Sequence, residues 1–160
     1  MSEFPKSRKV SESSIDHYPH QVFPEDISSQ GFVFGGKMIA IADRLANHVA
    51  KIHSGRVCVT SLVDSARFFG PAGVGDALIF KVAVNRTWRA FLEVGVKIVA
   101  QSYQTQEVRH VFTAYFLFVS VDNLGKPVCS PQVVPETLDE KRRFEEAQVR
   151  RERYLQILKR

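Results

Sequence analysis

Apolar residues recur every three to four positions between about residue 35 and residue 54, and from residue 56 to residue 121 they follow strand-like patterns instead. The first spacing predicts a helix and the second predicts strands. At 100° per residue, Met38, Ile41, Ala42, Leu45, Val49 and Ile52 form one stripe of the helix. Lys37, Arg44, Asn47, His48 and Lys51 form another, and Ile39, Ala46 and Ala50 extend the apolar surface round one side. Asp43 projects from that extension, so the pattern half-buries it away from the solvated charges. HSG ends the helix, and its Gly55 is the expected left-handed cap.

The strands read as RVCVTSLVDSARFF, ALIFKVAVNRTW, FLEVGVKIVAQ and VRHVFTAYFLFVSV, with turns at PAGVGD (71–76) and DNLGKP (122–127). In the third, Leu92, Val94, Val96 and Ile98 share one face, and Glu93, Gly95 and Lys97 share the other. The fourth is apolar on both faces, as in a central strand covered on both sides. No helix intervenes, so short connections make the sheet antiparallel, and the class is α+β. One face wraps the helix. The other still shows Phe and Val, which predicts a covering subunit and a homodimer as the minimum unit.

The ends are more polar. Residues 1–16 are expected to be a flexible or loosely docked extension, 17–131 the folded domain and 132–160 a helical tail. Within the domain, HYPHQVF reads as a short strand, and Pro24 with EDISSQG makes a polar loop leading to the helix. In the tail, Thr137 is the expected N-cap and Glu140 closes a capping box. Phe144, Ala147, Arg151, Tyr154 and Leu158 form a narrow stripe for docking along one edge.

Composition sets the environment. The net charge is +5, of which the tail from Leu138 onward carries +3, so no basic footprint for nucleic acid marks the body. No run approaches the roughly 18 apolar residues of a membrane span, and the opening MSEFPKSRKVSESS lacks the apolar run of a signal peptide. The expectation is a cytoplasmic protein, with Cys58 and Cys129 reduced and no metal site.

The chemistry concentrates at GFVFGGKMIAIAD (31–43). Exposed N–H groups at a helix start, backed by the dipole, stabilise a developing oxyanion, and Gly35 and Gly36 let a ligand approach the backbone closely. Asp43 is the unusual residue, since a half-buried carboxylate is paired, hydrogen-bonded or used. A structural reading pairs it with Arg67 or Arg109 and leaves the glycines to permit tight packing.

GGKMIAIAD resembles the glycine-pair and aspartate signature of the hot-dog acyl-CoA thioesterases. The likeness continues through VTSLVDSARFFGPAGVGD, LEVGVKI, RHVFTAYFLFVSVDNLGKP and the charged tail, from about residue 18 to residue 153. It implies a hot-dog fold, an antiparallel β-sheet wrapped around one long central helix, with the charged C-terminal helix added. It also implies hydrolysis of acyl-CoA to free acid and CoA, with Asp43 as general base or nucleophile acting across a dimer interface. By the same resemblance the N–H of Gly36 or Lys37 is the oxyanion donor and Ser28 holds the water. Gly35 and Thr60 belong to the substrate-binding set, and Arg56, Arg89 and Arg109 are candidate ligands for the CoA phosphates. No cofactor is implied beyond CoA as part of substrate and product. The implied partners are acyl-CoA and further copies of the chain, as a tetramer or a trimer of dimers, with neither nucleic acid nor membrane.

The chain departs from the family pattern at Ser28, where Asn is common, at Ala90 and Phe91 in TWRAF, and at Phe112. Such changes also fit the alternative of a non-catalytic acyl-CoA sensor. Phe91 and Phe112 are candidates for narrowing an acyl pocket. His17 and His20 in HYPH resemble only superficially the histidine of hot-dog dehydratases, and His48 and His110 read as solvated or structural.

Overall fold

A computed structural model describes residues 6–160 of the chain. The elements run β1 (Ser7–Lys9), β2 (Ile15–Gln21), α1 (Gly35–Ser54), β3 (Val57–Phe68), β4 (Asp76–Trp88), β5 (Phe91–Ser102), β6 (Val108–Val121), β7 (Gln132–Val134) and α2 (Leu138–Leu158). The five longer strands form one sheet in the order β2-β4-β5-β6-β3, and every pairing in it is antiparallel. Helix α1 lies on one face. The inner residues of β4, β5 and β6, among them Phe80, Leu92, Ile98, Phe112, Phe116 and Phe118, are fully buried in a core shared with that helix.

The helix meets the sheet on a face rotated from the expected stripe. Met38, Ala42, Ala46, Val49 and Ala50 are buried, Ile41 and Leu45 are partly covered, and Ile52 is exposed. Three alanines on the contact line admit a close approach between helix and sheet, and the larger Ile side chains sit at its margin. Gly55 ends α1 in the left-handed conformation at φ +66°. Residues 1–5 of the expected extension lie outside the described residues, and the rest of it is docked. β1 pairs in parallel with β7, and Val10 is buried in the core.

On the outer face α2 of the same chain covers part of the sheet. Arg150 forms a bidentate pair with Glu93 at 2.7 and 3.0 Å and lies 3.6 Å over the Tyr115 ring. Trp88 donates to Gln148, and Arg86 stacks on Phe144. Glu93 is therefore buried and paired on the face that alternation assigned to it. The stripe of α2 runs from Phe144 to Tyr154, and Leu158 is exposed. Its start carries the expected capping box between Thr137 and Glu140. Beside α2 an open cleft of about 560 Å³ remains, walled by Lys81, Lys97 and Arg142.

Candidate active site

A helix begins with N–H groups that have no partner in the helix, and a Ser, Thr, Asp or Asn side chain usually takes one. Helix α1 starts without such a cap, because its N-cap residue is Phe34. The N–H of Lys37 and of Met38 reach the Phe34 carbonyl at 3.0 and 3.3 Å. Among the described residues no acceptor faces the N–H of Gly35 or Gly36. Two donors at the positive end of a 20-residue helix are thus left without an acceptor among the described residues.

The two glycines differ in what they do. A Cβ on Gly35 would stand 3.1 Å from the ring of Phe68, whereas one on Gly36 would meet only Phe34 at an ordinary 3.5 Å. Gly35 thus packs closely on Phe68, which is the structural reading. Gly36 has no such close contact and is exposed. Phe68 in turn lies on Phe112, with ring centroids 5.1 Å apart and Phe112 fully buried. Phe112 therefore sits beneath the helix start, and Phe91 packs on the outer face under Arg151.

Asp43 is partly buried, and its Oδ1 accepts a 2.8 Å bond from the Thr60 hydroxyl on β3. Among the described residues nothing donates to its other oxygen, and neither of the expected arginines pairs with it. Arg109 is held by Asp76 at 3.2 Å and by the Pro71 carbonyl. The rise of 1.5 Å per residue sets Asp43 roughly 10 Å along the axis from Gly36. One chain does not bring the donors and the carboxylate together. Both lie along β3, an edge strand on which Val57, Val59, Val63 and Phe68 are exposed.

The other candidates are dispersed. Ser28 sits in a tight turn with Gly31, and its hydroxyl donates to Gln30, not to Asp43. Arg56 precedes β3 at the C-terminal end of α1. Arg89 opens the two-residue turn between β4 and β5 with φ +56°. Strand register places Arg56 and Arg89 at the same end of the sheet and Arg109 at the other, beside the helix start.

Pattern reading missed Asp26. It is 4% exposed and accepts from the Phe23 N–H and from His20 Nε2–H, each at 3.0 Å, with Lys37 Nζ at 3.4 Å. Burial pushes its pKa up, and the bonds from Phe23, His20 and Lys37 outweigh that and hold it below the usual carboxylate range. Nothing local distinguished it from a solvated loop acid. Among the described residues no cluster of three or more His, Cys, Asp or Glu can hold a metal, and both cysteines are free. No described helix is long and apolar enough to cross a membrane.

Known proteins resemble this chain over most of its length. The sequence model of the thioesterase superfamily matches residues 30–105. An uncharacterised acyl-CoA thioester hydrolase of Bacillus subtilis is 35% identical over 138 residues, 86% of this chain and 80% of its own length. The cytosolic acyl coenzyme A thioester hydrolase of Rattus norvegicus is 34% identical over 155 residues, and the match covers 96% of this chain but 39% of the rat protein. A crystal structure of an apo-hexameric acyl-CoA thioesterase superposes with a TM-score of 0.92 at 35% identity, over 96% of this chain and 97% of its own. The acyl-CoA hydrolase of Staphylococcus aureus, solved with butyryl coenzyme A, coenzyme A and coenzyme A disulfide, does so at 0.87 and 31%, over 96% and 94%. Identity and superposition agree over nearly the whole chain, which belongs to the thioesterase superfamily, among its acyl-CoA thioester hydrolases.

Proposed function

We propose that this protein hydrolyses acyl-CoA thioesters at sites shared between two subunits. The observation that carries the reading is the uncapped helix start, whose Gly35 and Gly36 N–H groups have no acceptor among the described residues. The thioester oxygen would sit there, where two N–H dipoles meet the charge that develops as the carbonyl becomes tetrahedral. Lys37 is the weaker donor candidate, since its N–H is already bonded to Phe34.

Asp43 of the neighbouring subunit supplies the base. Thr60 fixes Oδ1, and Oδ2 is left to orient a water and take its proton as the water oxygen attacks the carbonyl carbon. The carbon–sulfur bond then breaks, and the proton passes from Asp43 to the departing CoA thiolate. Direct attack by Oδ2, giving a mixed anhydride that water opens, would use the same two groups. The S. aureus hydrolase has also been solved with an aspartate and, separately, a threonine changed to alanine, the residue types joined here. Ser28 replaces a common Asn, and we assign it at most a supporting contact with that water.

Arg56 and Arg89 are our candidates for the CoA phosphates, because strand register places both at the same end of the sheet. The exposed apolar edge of β3 supports a dimer, and hexameric relatives support a trimer of dimers. The name of the rat relative supports a cytosolic location.

The test is thiol release from acyl-CoAs ranging from acetyl to palmitoyl, with wild type and Asp43→Ala side by side. We expect release by the wild type, and a folded variant with turnover lower by about a hundredfold or more. Unchanged turnover in the variant would remove Asp43 from the mechanism. Tight binding without release from any acyl-CoA would make the protein a sensor.

A further inference from the structure

Asp26 stands beside a helix start and does not cap it. An aspartate in that neighbourhood ordinarily turns its carboxylate onto the first free N–H groups of the helix. Here Oδ2 is taken by the Phe23 N–H and by His20 Nε2–H, and Oδ1 faces Lys37 Nζ. The carboxylate is thereby held to one side. Its main-chain carbonyl meanwhile accepts the Phe34 N–H at 3.0 Å, which fixes the N-cap residue of α1 from behind. One residue at 4% exposure joins the end of β2, the Pro24–Asp26 turn and the first turn of α1.

We infer that Asp26 is the positioning residue of the oxyanion site, holding the α1 start so that the Gly35 and Gly36 N–H groups stay unoccupied and aimed at the thioester oxygen. The inference rests on the reading that these two groups receive that oxygen. Three features support it. The carboxylate is too deeply buried to be a solvated loop charge, and every donor around it belongs to a segment that abuts the helix start. Lys37 directly follows the glycine pair, so its tie to Asp26 restrains the turn that carries the donors. The helix start also has no side-chain cap of its own to orient it. A displacement of about 1 Å in such donors costs on the order of a hundredfold in rate.

The deciding measurement is the infrared carbonyl band of isotope-labelled butyryl coenzyme A, bound to the Asp43→Ala protein so that turnover does not interfere. Binding to that variant is expected to move the band to lower frequency, which reports hydrogen bonds to the thioester oxygen. Adding Asp26→Ala, or Asp26→Asn if the alanine variant does not fold, is expected to return the bound band at least halfway to its solution position. In the otherwise wild-type chain the same changes should lower kcat about tenfold to a hundredfold and leave KM within about threefold. His20→Gln keeps an N–H for Oδ2 and should lose less than His20→Ala. A bound band that stays shifted without the Asp26 carboxylate overturns the inference and leaves the oxyanion site standing. A band that never shifts in Asp43→Ala alone overturns the oxyanion reading itself.

Discussion

Gly35 and Gly36 are neighbours with different reasons to lack a side chain. A methyl group on Gly35 would press on Phe68, a half-exposed ring that must shift by a few tenths of an ångström to admit it. Overpacking of a well-packed core costs about 1–3 kcal/mol, less where a half-exposed ring can shift toward solvent, and the better helix propensity of alanine offsets part of it. Gly35→Ala is therefore expected to melt below Gly36→Ala in a thermal scan. Gly36→Ala should melt near wild type but turn over more slowly, because its methyl group narrows the approach to the donors. Equal melting points would place the cost elsewhere than at Phe68. The glycine pair was legible in the sequence as a unit. The division of roles was not, because it depends on a ring that arrives from residue 68.

At the scale of elements, α2 is tied to the outer face through a largely buried ion pair, with the Arg150 side chain 12% exposed and that of Glu93 7%. Burial pulls the pKa of Arg150 down, and the Glu93 carboxylate more than offsets it, so the guanidinium is held above its ordinary value. Arg150→Ala leaves Glu93 without its charged partner, and removal of one member of a buried pair costs about 3–5 kcal/mol. Denaturant unfolding should show that loss, and a change below about 1 kcal/mol would mean that the pair is effectively solvated. At the other end of α1, His53 is fully buried and donates to the Pro131 carbonyl at 2.9 Å. Burial lowers its pKa, and nearby Arg8 adds to the effect, against the Pro131 bond and Glu12. The unfolded chain then takes up the proton first, so stability is full above the ordinary histidine value of 6.5 and falls as the pH drops below it. Melting points measured between pH 8 and pH 5 should show this decline, and His53→Gln should flatten it.

At the scale of the whole molecule, a single chain separates its oxyanion donors from its base by roughly 10 Å along α1. If the two act together, they come from different subunits. Two inactive variants should then rescue each other. Asp43→Ala keeps the helix start, and Gly36→Pro keeps Asp43 while removing one N–H at a position where proline is tolerated. Dissociating and reassociating an equal mixture should restore about a quarter of wild-type activity, since half of the pairs are mixed and each mixed pair has one complete site. Activity that stays at the level of the two parents would confine the site to one chain.

The sequence by itself determined the longer elements and their order, though not the short strands β1 and β7. Helical spacing from the glycine pair to Gly55, strand patterns through residue 121 and the Thr137 capping box are local signals, and the structure carries each of them. It also marked Gly35, Gly36 and Asp43 as unusual, because glycines heading an apolar helix and a carboxylate on its covered side conflict with ordinary packing. Tertiary structure decided what touches what. Glu93 lies on the outer face of β5, and the charge that neutralises it, Arg150, arrives from 57 positions away. Asp26 reads as a loop acid until β2 and α1 close over it, and Asp43 meets Thr60 only when β3 is laid along the helix. Periodicity reports which face of an element avoids water. It carries no information about which distant side chain will neutralise a charge on that face.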